Sequence, residues 1–106
     1  MRITRTVTSP KSVAEAFAYL SDFTSTNDWD PGTVLTTKVQ GDGGVGTVYH
    51  NRTQFNGRET DLTYIVTDFQ PNKLLRLRGE NKTLVATDTI TFEQTAQGCS
   101  VQKVGR

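Results

Sequence analysis

The chain has 106 residues, enough for one domain with a single core and too few for two. Twelve basic against eleven acidic residues leave a net charge of +1 with the signs interspersed, which excludes an extended nucleic-acid footprint. No apolar run reaches a membrane span, no basic-then-apolar leader opens the chain, and the lone Cys99 forms no internal disulfide, so a cytoplasmic protein is expected.

Eighteen threonines and ten valines favour strands, where β-branched side chains pack well. Ile3 to Val7 alternates and reads as a first strand. Ser9-Pro10 then opens a helix, with serine as cap and proline at the first helical position. Val13, Phe17 and Leu20 give that helix one apolar stripe. Ser21 to Trp29 reads as a short second helix or turn, ended by Pro31-Gly32. Thr33 to Gln40 is the next strand. Gly41-Asp42-Gly43-Gly44-Val45-Gly46 has the spacing of a dinucleotide fingerprint, but strand follows it instead of the helix that a pyrophosphate site needs, so it is read as a hairpin loop.

Val48 to Val66 determines its own pairing. Asn56-Gly57 tolerates the positive φ angles of a two-residue hairpin turn. Phe55 then faces Arg58, Thr53 faces Thr60, Asn51 faces Leu62 and Tyr49 faces Tyr64. One face carries Tyr49, Asn51, Thr53, Phe55, Leu62, Tyr64 and Val66. The other carries His50, Arg52, Gln54, Glu59, Asp61 and Thr63. A one-residue slip would exchange the faces, so the register is strongly specified. The first face is apolar but dotted with hydrogen-bonding groups, as the wall of a small-molecule site is.

Phe69 to Lys73 reads as a turn, Leu74 to Gly79 as a strand, Asn81-Lys82 as a tight turn, and Leu84 to Glu93 and Cys99 to Val104 as the last strands. Without a bulge, the register propagates to oppose Val66 to Leu77, Leu77 to Ala86 and Leu75 to Asp88. The inner face then continues through Leu75, Leu77, Leu84, Ala86, Asp88, Ile90 and Phe92. Arg76, Arg78, Thr87, Thr89 and Thr91 point outward. The expected fold is α+β: a curved antiparallel sheet of about seven strands, with two helices after the first strand.

Several of these segments resemble the START/SRPBCC superfamily, polyketide cyclase/dehydrase type. They are Ser9-Pro10 with Val13 to Asp22, Trp29 after the second helix, Gly44-Val45-Gly46-Thr47, Tyr64 to Pro71 with Leu74-Leu75, and Asp88 to Glu93 followed by Gly98 and Val101. The resemblance spans nearly the whole chain, 1–106, as one domain. It implies a helix-grip fold around a cavity and a ligand of lipid, polyketide or quinone type; some members are cyclases or hydratases. That family adds a long C-terminal helix, and this sequence reaches Arg106 about where it would begin. The inner face is therefore expected to be partly open, and a homodimer is expected to cover it.

The candidate site follows from the inward residues. Asp88 is an inward carboxylate, costly unless paired and open to a raised pKa, which suits a general acid or base. Tyr49 and Tyr64 offer hydroxyls and ring walls, and Asn51 both donates and accepts. Trp29 forms a pocket lip or anchors its loop. With Leu62 and Leu77 these complete the expected ligand-binding set. His50 falls on the outer face. One histidine and one cysteine assemble no metal site, and no cofactor is expected. The favoured reading is a carrier of a small apolar molecule. An enzyme of cyclase, dehydratase or isomerase type using Asp88 with Tyr49 or Tyr64, and a shortened interaction or dimerisation module, are the alternatives.

Overall fold

The computed structural model describes residues 3–105; the side chain of Phe55, expected to face inward, lies outside the described residues. The elements are β1 (Ile3–Ser9), α1 (Val13–Leu20), a 3₁₀ turn (Phe23–Ser25), α2 (Thr26–Trp29), β2 (Thr33–Gln40), β3 (Val48–Phe55), β4 (Arg58–Gln70), β5 (Leu74–Glu80), β6 (Val85–Thr95) and β7 (Gly98–Gly105). They form one seven-stranded antiparallel sheet in the order β1-β7-β6-β5-β4-β3-β2. Among the described residues no helix follows β7.

That order determines what covers the sheet. β1 and β2 are the two edges, so the chain between them must cross all the strands between, roughly 29 Å at a strand spacing of about 4.8 Å. The crossing segment is the helical one. α1 packs on β6 and β7, while the 3₁₀ turn and α2 pack on β2. Helix α1 starts later than Ser9-Pro10 suggests. Ser12 is its cap, its hydroxyl accepting from the Glu15 N–H at 3.1 Å and the Glu15 carboxylate returning to Ser12, a reciprocal capping box. Ser9 instead closes β1, its hydroxyl accepting from the Lys11 N–H. The Asp22 carboxylate caps the 3₁₀ turn, accepting from Thr24 N–H at 3.0 Å.

The β3–β4 hairpin has the expected register at every pair, from Phe55↔Arg58 through Tyr49↔Tyr64. The Asn56 and Gly57 φ angles of 53° and 77° supply the turn. The Gly41–Gly46 run is a hairpin loop leading into β3, as expected; a Cβ at Gly41 would stand 2.6–2.9 Å from Thr47.

Two expectations about the strand register need correction. First, Leu77 opposes Asp88 and Leu75 opposes Ile90, two residues away from the expected partners. The connection is longer than Asn81-Lys82. Glu80 pairs with Val85, and Asn81 N–H donates to the Leu84 carbonyl. A two-residue shift preserves the faces, so Ala86, Asp88, Ile90 and Phe92 still point inward and are buried. Second, β4 carries a bulge at Thr67, between Val66↔Leu77 and Asp68↔Arg76. The strand therefore runs on to Gln70, with Asp68 turned outward to Arg76 at 3.1 Å and Phe69 turned in against Phe17.

Between β3 and β6 the inner face is closed, while Ile3 and Val7 on β1 remain exposed. Tyr49, Leu62, Tyr64, Val66, Leu75, Leu77, Ile90 and Phe92 are all buried, none more than 7% exposed. Over that stretch the crossing segment supplies the cover, with Phe17 and Phe23 facing the inner row.

Candidate functional site

The concave side is built from aromatic contacts and one directed polar chain. Phe23 sits over the facing tyrosines, its ring 5.6 Å from Tyr49 and 4.9 Å from Tyr64. Phe17 makes edge contacts with Phe69 at 5.2 Å and Phe92 at 5.0 Å. Tyr64 lies across Gly79, its strand partner, where a Cβ would approach the ring to 2.6 Å. Glycine at 79 is thus a requirement of the tyrosine's position.

Beneath α2 the hydroxyls and amide are ordered by donor count. Thr26 spends its only proton on the Phe23 carbonyl at 2.8 Å. Thr36 must therefore donate to Thr26 at 2.7 Å, and accepts from the Asn51 amide at 2.8 Å. Asn51 in turn accepts from Thr53 at 2.6 Å. Asn27 clamps the Thr36 backbone in both directions, at 2.9 and 2.8 Å. Among the described residues, no buried side-chain nitrogen or oxygen is left without a partner.

A cleft of about 390 Å³ opens at the end of the concave side, lined by Ser21, Asp22, Lys38, Asp42, Gly43, Gly44, Tyr49 and Phe69. Tyr49 and Phe69 give it aromatic wall, and the other residues give it a polar rim. Burial raises the Tyr49 phenol above its usual 10.0; the Phe23 backbone opposes this and Asp22 adds to it.

All seven expected ligand-binding residues stand on the concave side, in facing pairs: Tyr49 with Tyr64, Asn51 with Leu62, and Leu77 with Asp88, with Trp29 coming from α2. Of these only Tyr49 lines the cleft. Asn51 belongs to the polar chain, bonded to side chains rather than to the backbone. Trp29 is half-buried; its indole N–H donates to Ser25 at 3.0 Å and the Lys103 ammonium stands 4.9 Å from its ring centre. Asp88 is 7% exposed, against Gly105, where any Cβ would collide with its carboxylate. Asp88 on β6 and Tyr49 on β3 are three strands apart, roughly 14 Å across the sheet.

His50 is on the outer face, as expected, half-exposed and 3.9 Å from Asp61, which pairs more closely with Arg52 at 2.9 Å. Hydrogen bonding to Arg52 holds the Asp61 carboxyl below its usual 3.8. Sequence reasoning missed Phe23 as the plug of the concave side, and Lys38, Asp22 and Phe69 at the cleft. The signal for Phe69 was out of reach, because only the Thr67 bulge turns it inward. Among the described residues no group of three or more His, Cys, Asp or Glu is placed to hold a metal. Nor, among them, is any helix long and apolar enough to cross a membrane.

A grip of antiparallel strands around an N-terminal helical crossing, with an apolar concave side, defines a helix-grip domain. The chain belongs to the family described as polyketide cyclase / dehydrase and lipid transport, whose pattern matches residues 1–106. The fold is shared with solved structures of low identity. The protein DR_A0006 from Deinococcus radiodurans superimposes with a TM-score of 0.83 at 11% identity, over 100% of this chain and 81% of that one. CV1439 from Chromobacterium violaceum gives 0.76 at 15% identity, over 99% of this chain and 78% of that one. The di-domain ARO/CYC BexL from the BE-7585A biosynthetic pathway gives 0.77 at 12% identity, over 99% of this chain but 35% of that one. No curated protein matches the sequence.

Proposed function

We propose that this chain is a cytoplasmic, non-catalytic binder of a small apolar molecule of lipid, polyketide or quinone type. The ligand is taken on the concave side by Trp29, Tyr49, Asn51, Leu62, Tyr64, Leu77 and Asp88. The observation that carries the reading is an inner row of apolar side chains sheltered by one short crossing segment, with the Tyr49–Phe69 cleft at its end. Membership in a family that includes lipid transport supports the ligand class. A ligand larger than the cleft enters by displacing Phe23, whose ring fills the space over Tyr49 and Tyr64.

One feature argues for carriage over catalysis. Asp88 on β6 lies three strands from Tyr49 on β3 and two from Tyr64 on β4. A homodimer has no exposed inner row from β3 to β6 left to cover. Native mass spectrometry of the purified chain tests the reading. A co-purified small molecule on a single copy, retained by Asp88→Asn, is the expected result. Turnover of a bound polyketide that Asp88→Asn abolishes while binding persists would replace the carrier with the enzyme.

A further inference from the structure

We infer that Arg5 and Lys103 form an anion-binding subsite at the β1–β7 border of the concave side, selecting an apolar ligand that carries one anionic group. The inference rests on the small-molecule reading above and names the chemistry of that ligand.

Arg5 and Lys103 are direct partners in the β1–β7 ladder. Lys103 is in turn opposite Ile90, an inner residue only 1% exposed, so both cations stand on the concave side. Like charges directly opposite each other destabilise a sheet. Among the described residues no acid forms an ion pair with either cation, the ion pairs being those of His50, Arg52, Arg76 and Arg78. Asp88, two residues before Ile90 on β6, lies against Gly105, and the Lys103 ammonium stands 4.9 Å from the centre of the Trp29 ring.

The ground around the two cations is apolar. Ile3 and Val7 flank Arg5 on the same side of β1 and are exposed, at 45% and 62%. Val101, beside Lys103, and Trp29 are half-buried. Two cations on exposed apolar ground complement an anion at the end of an apolar body. The aromatic ring holds the ammonium with a weak, exchangeable contact. A ligand carboxylate replaces it with a charge-assisted hydrogen bond from the same lysine, and Arg5 supplies a planar fork to the other oxygen.

Trp29 is the only tryptophan, so its emission reports on the subsite directly. Dodecanoate and dodecan-1-ol, titrated separately below micelle formation, differ only in the end group. At low salt the acid should bind about tenfold tighter than the alcohol, a preference that shrinks as salt screens it. Arg5→Met and Lys103→Met should each cut the preference, and together bring the two ligands within about twofold. Arg58→Met, an exposed cation at the β3–β4 turn, should leave the preference intact. Should Lys103→Met fail to fold, the exposed Arg5→Met alone must still reduce the preference about threefold.

Equal affinity for acid and alcohol in the unmodified chain would overturn the subsite and leave the small-molecule reading standing. Binding of neither ligand would overturn that reading and the subsite with it. Binding to phosphatidylserine vesicles without binding of free dodecanoate would assign the cations to a membrane surface and overturn the proposal.

Discussion

The crossing segment is held differently at its two flanks. Over β2 and β3 it is tied by buried hydrogen bonds whose directions are all determined, from Thr53 through Asn51, Thr36 and Thr26 to the Phe23 carbonyl. Over β7 it is met by a half-buried indole under a lysine ammonium, beside a pair of like charges. The first flank is arranged for permanence, since every donor has one acceptor and no alternative. The second keeps the buried packing of Phe17 on Phe92 but adds an exchangeable contact, because the Lys103 ammonium has a better partner in an anion. A binding domain needs both: a fixed anchor for its cover and a loose side where a ligand enters.

The sharpest way to break this contrast is at its shared residue. Phe23→Ala should cost about 3–5 kcal/mol in urea denaturation, the usual price of a buried phenylalanine. The same variant should take up apolar probes more readily, because the space over Tyr49 and Tyr64 is vacated. On the anchored flank, Asn51→Leu removes the amide that Thr36 and Thr53 bond to, and should cost about 1–3 kcal/mol. On the β7 flank, Lys103→Met keeps the aliphatic stem and loses the ammonium above Trp29. It should cost about 0.5–1 kcal/mol, visible as a small shift in urea midpoint. If Lys103→Met were as costly as Asn51→Leu, the two flanks would be alike and the contrast would fail.

The smallest effects are at the extremes of pH. The folded chain holds the Tyr49 proton more tightly than an unfolded chain does, so its contribution is complete below pH 10.0 and is lost as pH rises through the raised folded value. Tyr49→Phe should flatten that alkaline loss, followed by circular dichroism. Asp61 has the opposite sign. Its folded carboxyl is depressed below 3.8 by Arg52, so its contribution is present above that value and fades as pH falls through the folded one. With its side chain half-exposed, it should show only a slight acid-side change in Asp61→Asn.

Legibility followed the length over which local rules stayed in force. The β3–β4 hairpin could be read pair by pair, because Asn56-Gly57 fixes the turn and alternation fixes the faces. The β5–β6 register slipped by two, since Asn81-Lys82 resembles a two-residue turn while the Asn81–Leu84 bond makes a four-residue one. The Thr67 bulge has no signature in its residues; it is set by how Phe69 must meet Phe17. The inward strand residues Tyr49, Asn51, Leu62, Tyr64, Leu77 and Asp88 were legible from alternation. Their cover was not, because that depends on the strand order, which places β1 and β2 at opposite edges and sends the helices across the face.

The central claim is that ligand chemistry belongs to the concave side and that the histidine side takes no part. Nuclear magnetic resonance on the labelled chain, titrated with an apolar ligand, tests it residue by residue. Saturable shifts should gather at Leu62, Tyr64 and Leu77 and in the Trp29 indole, while His50, Arg52 and Thr63 stay still. Shifts that saturate at His50 and Arg52 and spare Tyr64 would contradict the account.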